Sequence, residues 1–349
     1  MKKILGLVFL VMLASLIFAG PLKVAFVYIG PVGDAGWTYE HDRGRLYVEE
    51  ALGDDVITQY IENVPESSEA EGIIQGYARK GFDLIFTTSF GYMDPTLEVA
   101  MDNPNTTFMH CSGYKTHDNM GTYFGRMYQP RYLSGLIAGE MTEDNLIGYV
   151  AAFPIPEVIR GINAFALGVK AVNPDAKVKV VWTNTWFDPT IEKEAAISLL
   201  DLGVDVIAQH QDSPAAQQAA QDYGAYCIGY DSDMQAFAPE AYLGAPIWNF
   251  GPYYTRVAQA VADGTWTNEQ FWGGMDTDIV KLVISDLVPE DIKDMVLGKQ
   301  EEIINGELHP FTGPIYDNEG NLKYSDGEMA SDGELLSMDW FVDNVEGNL

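Results

Sequence analysis

The sequence predicts an α/β protein of two lobes, each a parallel sheet flanked by helices, with a ligand cleft between the lobes. Three observations carry this. Short apolar runs alternate with helix-period segments from residue 22 onward, and strand–helix alternation means parallel strands covered on both faces. The alternation comes in two series, each roughly a hundred residues and so large enough for its own core. Aromatic and acidic side chains gather in the loops that leave the strands, which is where open α/β sheets bind ligands.

In the first series, "LKVAFVYIG" reads as a strand and "TYEHDRGRLYVEEAL" as a helix. "DLIFTTS" is the next strand and "PTLEVAMD" the start of a helix, followed by strand "TTFMHCSG" and helix "YLSGLIAGEM". The second series opens with strand "LIGYVAAF" and helix "PEVIRGINAFALGVKAVN". Strand "KVKVVWT", helix "PTIEKEAAISLLDLG", strand "VDVIAQH", helix "PAAQQAAQDYG" and strand "AYCIGY" complete it. The tail reads as a polar hairpin turning at Asn318-Glu319-Gly320.

The loops carry the candidate site. "IGPVGDAGWT" brings Asp34 and Trp37, and "TTSFGYMDPT" brings Phe90 and Tyr92. "TNTWFDPT" brings Trp186, "QHQDSPAA" brings Asp212, and "IGYDSDM" brings Tyr230 and Asp231. Asp188-Pro189 and Asp94-Pro95 read as helix starts, Asp as N-cap and Pro at the first helical position. Trp182, on a strand, reads as core. Rings with few cations suit a flat ligand with a polar edge, and Asp34 and Asp231 would accept hydrogen bonds from its N–H or hydroxyl groups.

Composition narrows the function. Residues 1–19 show two lysines and an apolar run closing on Ala19, the pattern of a secretory signal peptide; an uncleaved anchor is the rival reading. A formal charge of −31 repels nucleic acid. Cys111 and Cys227 read as buried apolar residues, and five scattered histidines give no metal site. "GPVGDAG" lacks the Lys-Ser/Thr of a phosphate loop. No nucleophile elbow or reactive cysteine marks an enzyme, although paired carboxylates keep a glycoside-hydrolase-like reading as the least favoured alternative. No cofactor is expected.

The segments "KVAFVYIGPVGDAGWTYEHDRG", "GFDLIFTTSFGYMDP", "RMYQPRYLSGLIAG", "VVWTNTWFDPTIEKEAAISLLDLGVDVI", "IGYDSDM" and "LHPFTGPI" occur in one order. Over roughly residues 22–342 the chain resembles the basic-membrane-protein family of ABC-transporter substrate-binding proteins, the purine-nucleoside-receptor-like group. The resemblance implies a type I periplasmic binding fold, a hinge of several crossings, and delivery of a purine nucleoside to a permease and its ATPase. It also implies that Trp37 and Trp186, at positions where the family usually has phenylalanine, sandwich the base. Asp231 matches a ribose-contacting aspartate, and Asp34 matches the acid before the first aromatic.

Two departures follow. Thr38 stands where the family has a base-contacting asparagine, and the ribose-contacting lysine is replaced at about Trp248-Asn249. The lipoprotein cysteine is also absent. If Trp248 fills the sugar's space, a free base such as adenine is expected to bind ahead of its nucleoside, unless a lysine from elsewhere, such as Lys115, reaches the ribose. The expectation is therefore an exported, monomeric binding protein. Its signal peptide is 1–19, lobe one 22–138 plus 248–275, and lobe two 139–247 plus 276–349. A flavin, a sugar or a sensory role are the alternatives.

Overall fold

A computed structural model describes residues 20–349; the expected signal segment 1–19 lies outside the described residues. The chain first lays down β1 (Leu22–Val27), α1 (Trp37–Leu52), β2 (Val56–Ile61), α2 (Ser68–Arg79) and β3 (Leu84–Thr87). There follow α3 (Met93–Asp102), β4 (Thr107–Cys111) and β5 (Met120–Gly125). It then crosses into α4 (Tyr128–Met141), β6 (Leu146–Ala151), α5 (Pro156–Val172), β7 (Lys177–Trp182) and α6 (Pro189–Leu200). This lobe continues through β8 (Val206–His210), α7 (Ala215–Tyr223), β9 (Tyr226–Ile228) and β10 (Tyr242–Trp248). The chain returns for α8 (Phe250–Ala262) and β11 (Gln270–Gly273). A last crossing leads to β12 (Val280–Ile284), α9 (Glu290–Ile304), β13 (Ile315–Tyr316), β14 (Leu322–Tyr324), α10 (Asp332–Leu336) and β15 (Val345–Glu346).

Six strands form the first sheet in the order β11-β5-β4-β3-β1-β2, every pair parallel. Seven form the second, β12-β10-β9-β8-β6-β7-β15, parallel except at the edge strand β12. Central strands such as β3 and β8 are buried along their whole length, as sheets covered on both faces require. Of the strands that the sequence reading passed over (β2, β5, β10, β11, β12 and β15), β2 is an edge strand whose residues are mostly solvent-facing, so its apolar signal is weak.

The chain leaves the first sheet after β5 and joins the second at β6, with α4 between them. Helix α4 packs on α5, α9 and β10 of the second lobe. Two glycines allow this: a Cβ at Gly135 would stand 2.0 Å from the Phe165 carbonyl, and one at Gly168 would stand 2.0 Å from that of Tyr132. The two backbones touch, and any side chain at either position would force the helices apart.

The Asp-Pro signals divide. Asp188 caps α6, its carboxylate accepting from the backbone of Thr190 and Ile191. Asp94 does not cap. A short turn over Phe90–Tyr92 already starts α3 at Met93, so Asp94 lies within the first turn and pairs with Lys115 at 2.6 Å. Cys111 and Cys227 are free, buried and in different lobes. The tail hairpin turns through Gly320 at φ 87, a conformation that favours glycine. Among the described residues no helix is long and apolar enough to cross a membrane.

Candidate functional site

The carboxyl ends of β1, β3 and β4 face those of β6, β7 and β8 across the gap between lobes. A cleft enclosing about 390 Å³ of atom-free space, part of it open to solvent, lies there. Lobe one lines it with Ile29, Trp37, Ser89, Phe90 and Ser112, and lobe two with Glu157, Trp186, His210, Asp212 and Tyr230. The lobes meet around it. Ser232 donates to the Ala35 carbonyl, Ser112 donates to Glu157 at 3.3 Å, and a Cβ on Gly36 would stand 2.2 Å from the Asp212 carbonyl.

The two tryptophans are held differently. Trp37 opens α1, donates from Nε1 to the Thr88 carbonyl at 2.7 Å, and stands edge-on to His41, Trp248 and Phe250. Trp186 sits on the loop before α6, edge-on to Phe153 at 5.0 Å and tilted 6.3 Å from His210.

Of the remaining expected residues, Phe90, Asp212 and Tyr230 line the cavity, and the others do not. Asp34 faces inward on its own loop, accepting from the backbone N–H groups of Gly36, Thr38 and Tyr39. It is a cap for the start of α1, because the free N–H groups there need an acceptor. Tyr92 belongs to the lobe-one core, its hydroxyl bonded to the Val64 carbonyl. Trp248 is buried outside the cavity lining and donates from Nε1 to Asp231 at 2.9 Å. Asn249 donates to Asp278. Lys115 is spent on Asp94.

Two residues that the sequence reading did not single out, Glu157 and His210, join Asp212 in the polar wall. His210 ends β8, Glu157 opens α5, and they approach to 3.9 Å. Burial, with Arg131 and Arg160 nearby, holds the His210 imidazole well below its usual range, so it stays neutral. Burial also raises the Glu157 carboxyl. Asp212 is raised much further, by burial first and then by Asp231 and Asp34. Arg131, fully buried, lies 3.8 Å over the Tyr230 ring and donates to the Gln209 carbonyl at 2.6 Å, supporting the wall from behind. The one signal available beforehand was position at a strand's end, which marks both His210 and Asp212.

The chain matches the family model described as ABC transporter substrate-binding protein PnrA-like over residues 22–310. It is 49% identical over 328 residues to a purine-binding protein of Brucella abortus, covering 94% of each chain. It is 45% identical over 329 residues to a protein of Haloferax volcanii named for an ABC transporter and glucose binding, covering 94% of this chain and 81% of that one. A solute-binding protein of Aeropyrum pernix superposes with a TM-score of 0.72 at 20% identity, over 83% of this chain and 93% of that one. The same fold recurs in a solute-binding protein of Conexibacter woesei, with a TM-score of 0.68 at 23% identity over 82% and 98% of the two chains. With two lobes closed on a cavity and this likeness along its length, the chain belongs to the PnrA-like family of ABC transporter substrate-binding proteins.

Proposed function

We propose that this protein is the extracytoplasmic binding component of an ABC importer and takes a purine-type ligand between Trp37 and Trp186, a free base such as adenine ahead of its nucleoside. The observation that carries this reading is a cavity with one tryptophan from each lobe. A planar ligand touching both would favour the closed form by its differential contacts. The name of the Brucella relative supports the ligand class.

The preference for a base now rests on different ground from the one expected. Trp248 does not fill the cavity; it occupies Asp231. That carboxylate is fully buried and does not line the cavity, so a ribose placed in the cavity does not gain it as a partner. Leaving a buried polar group unpartnered costs about 1–3 kcal/mol. A free base makes no such demand. Titration calorimetry with adenine, adenosine and glucose tests this. Adenine is expected to bind about tenfold tighter than adenosine, a difference of ~1.4 kcal/mol. A clear adenosine preference removes the base reading and leaves the transport role. Binding of glucose with no response to purines would move the ligand class to sugars.

A further inference from the structure

Resting on the purine reading above, we infer that the Asp212 carboxyl reads the hydrogen-bonding edge of the bound base, offering it one donor and one acceptor, and thereby restricts the site to uncharged purines. Asp212 lines the cavity, yet it is only 5% exposed. Among the described residues no group donates a hydrogen bond to its carboxyl, whereas two lining hydroxyls are engaged, Ser89 with Glu66 and Ser112 with Glu157, and the lining His210 likewise keeps an unpartnered Nδ1. Asp212 lines the cavity, so a ligand there can supply the hydrogen-bond partner that a buried polar group ordinarily has.

The position of this carboxyl is fixed from two sides. Its backbone N–H donates to the Trp186 carbonyl at 3.3 Å, which ties the acid to the ring that would cover the base. Its carbonyl lies against Gly36 of the opposite lobe. The carboxyl is therefore positioned when the lobes close.

Its surroundings set its protonation. Burial, then the neighbouring Asp231, Asp34, Glu192 and Glu157, all favour retention of the proton. A protonated carboxyl carries an O–H donor beside a C=O acceptor. Adenine presents the complement, an amino group beside a ring nitrogen: the O–H donates to the ring nitrogen while the amino N–H donates to the carbonyl oxygen. No proton changes hands. An anionic ligand such as urate, or a nucleotide phosphate, would meet acids and a neutral imidazole on this wall, with no arginine or lysine among the described residues that line the cavity.

Calorimetry on the full chain decides this, using adenine and urate against wild type, Asp212→Asn and Asp212→Ala, with melting curves for each. The amide also offers one donor and one acceptor, so Asp212→Asn should keep adenine affinity within about threefold. Asp212→Ala should lose about thirtyfold or more without a lower melting temperature, and wild type should bind urate far more weakly than adenine. Adenine binding by Asp212→Ala equal to wild type overturns the assignment. So does an Asp212→Asn loss as large as that of Asp212→Ala, since a carboxylate would then be reading the ligand as two acceptors. Equal binding of urate and adenine overturns the restriction to uncharged bases. Wild type binding no purine at all instead fails the ligand class itself, which separates that failure from the others.

Discussion

The two walls of the cleft are built on different principles. Lobe one offers Ile29, Trp37, Ser89, Phe90 and Ser112, none of which ionises. Its tryptophan is locked by a hydrogen bond to Thr88 and by contacts with His41, Trp248 and Phe250. Lobe two offers Glu157, His210 and Asp212, and its tryptophan stands on a loop with Phe153 as its nearest ring. One wall is a rigid apolar platform; the other carries the polar chemistry and a less constrained ring. Preorganisation and discrimination are thus divided between lobes, so a ligand satisfies both only when they close.

Closure itself should show the largest effect. The Gly36 Cα rests on the Asp212 carbonyl, and backbone cannot yield as a side chain would. Gly36→Ala should hold the lobes apart and cost about 3 kcal/mol, roughly a hundredfold in affinity. Small-angle scattering with saturating ligand should show the variant remaining expanded where wild type compacts. A variant that compacts and binds normally would mean that the walls need not meet at this point.

The rings come next. Trp186→Ala should weaken purine binding by about 2 kcal/mol through lost burial and stacking, with little change in melting temperature. Trp37→Ala should lose similar affinity and also lower the melting temperature, because its ring packs edge-on against His41, Trp248 and Phe250 and its N–H is bonded to Thr88. Calorimetry and thermal melts on both variants check the contrast; equal melting temperatures would erase the distinction between platform and cover.

The smallest effect concerns Trp248. Trp248→Phe keeps an aromatic side chain, though a smaller one, and removes the N–H that Asp231 accepts. Asp231 is held at φ 66, and its second oxygen already has no partner among the described residues. The variant should lose about 1–2 kcal/mol of stability in denaturant melts, with the order of ligand preference unchanged. A reversed preference between adenine and adenosine would show that Trp248 acts on the ligand directly.

Much of this was legible in the residues. Strand–helix alternation determined two parallel sheets, because only covered parallel strands read as short unbroken apolar runs separated by helices. Of the aromatic residues expected from strand-end loops, Trp37, Phe90 and Trp186 line the gap between the lobes, while Tyr92 from the same loop as Phe90 enters the lobe-one core. Tertiary structure alone decided which acids face that gap. Asp34 and Asp231 look as available as Asp212 in sequence, yet the first is taken by backbone N–H groups at the start of α1 and the second by an indole seventeen positions away. A carboxylate's role depends on which donor lies within about 3 Å, and such donors come from anywhere in the chain. The Glu157–His210 pair and the seating of α4 on α5 are of the same kind: contacts between distant segments, fixed by where the sheets place their ends rather than by any local spacing.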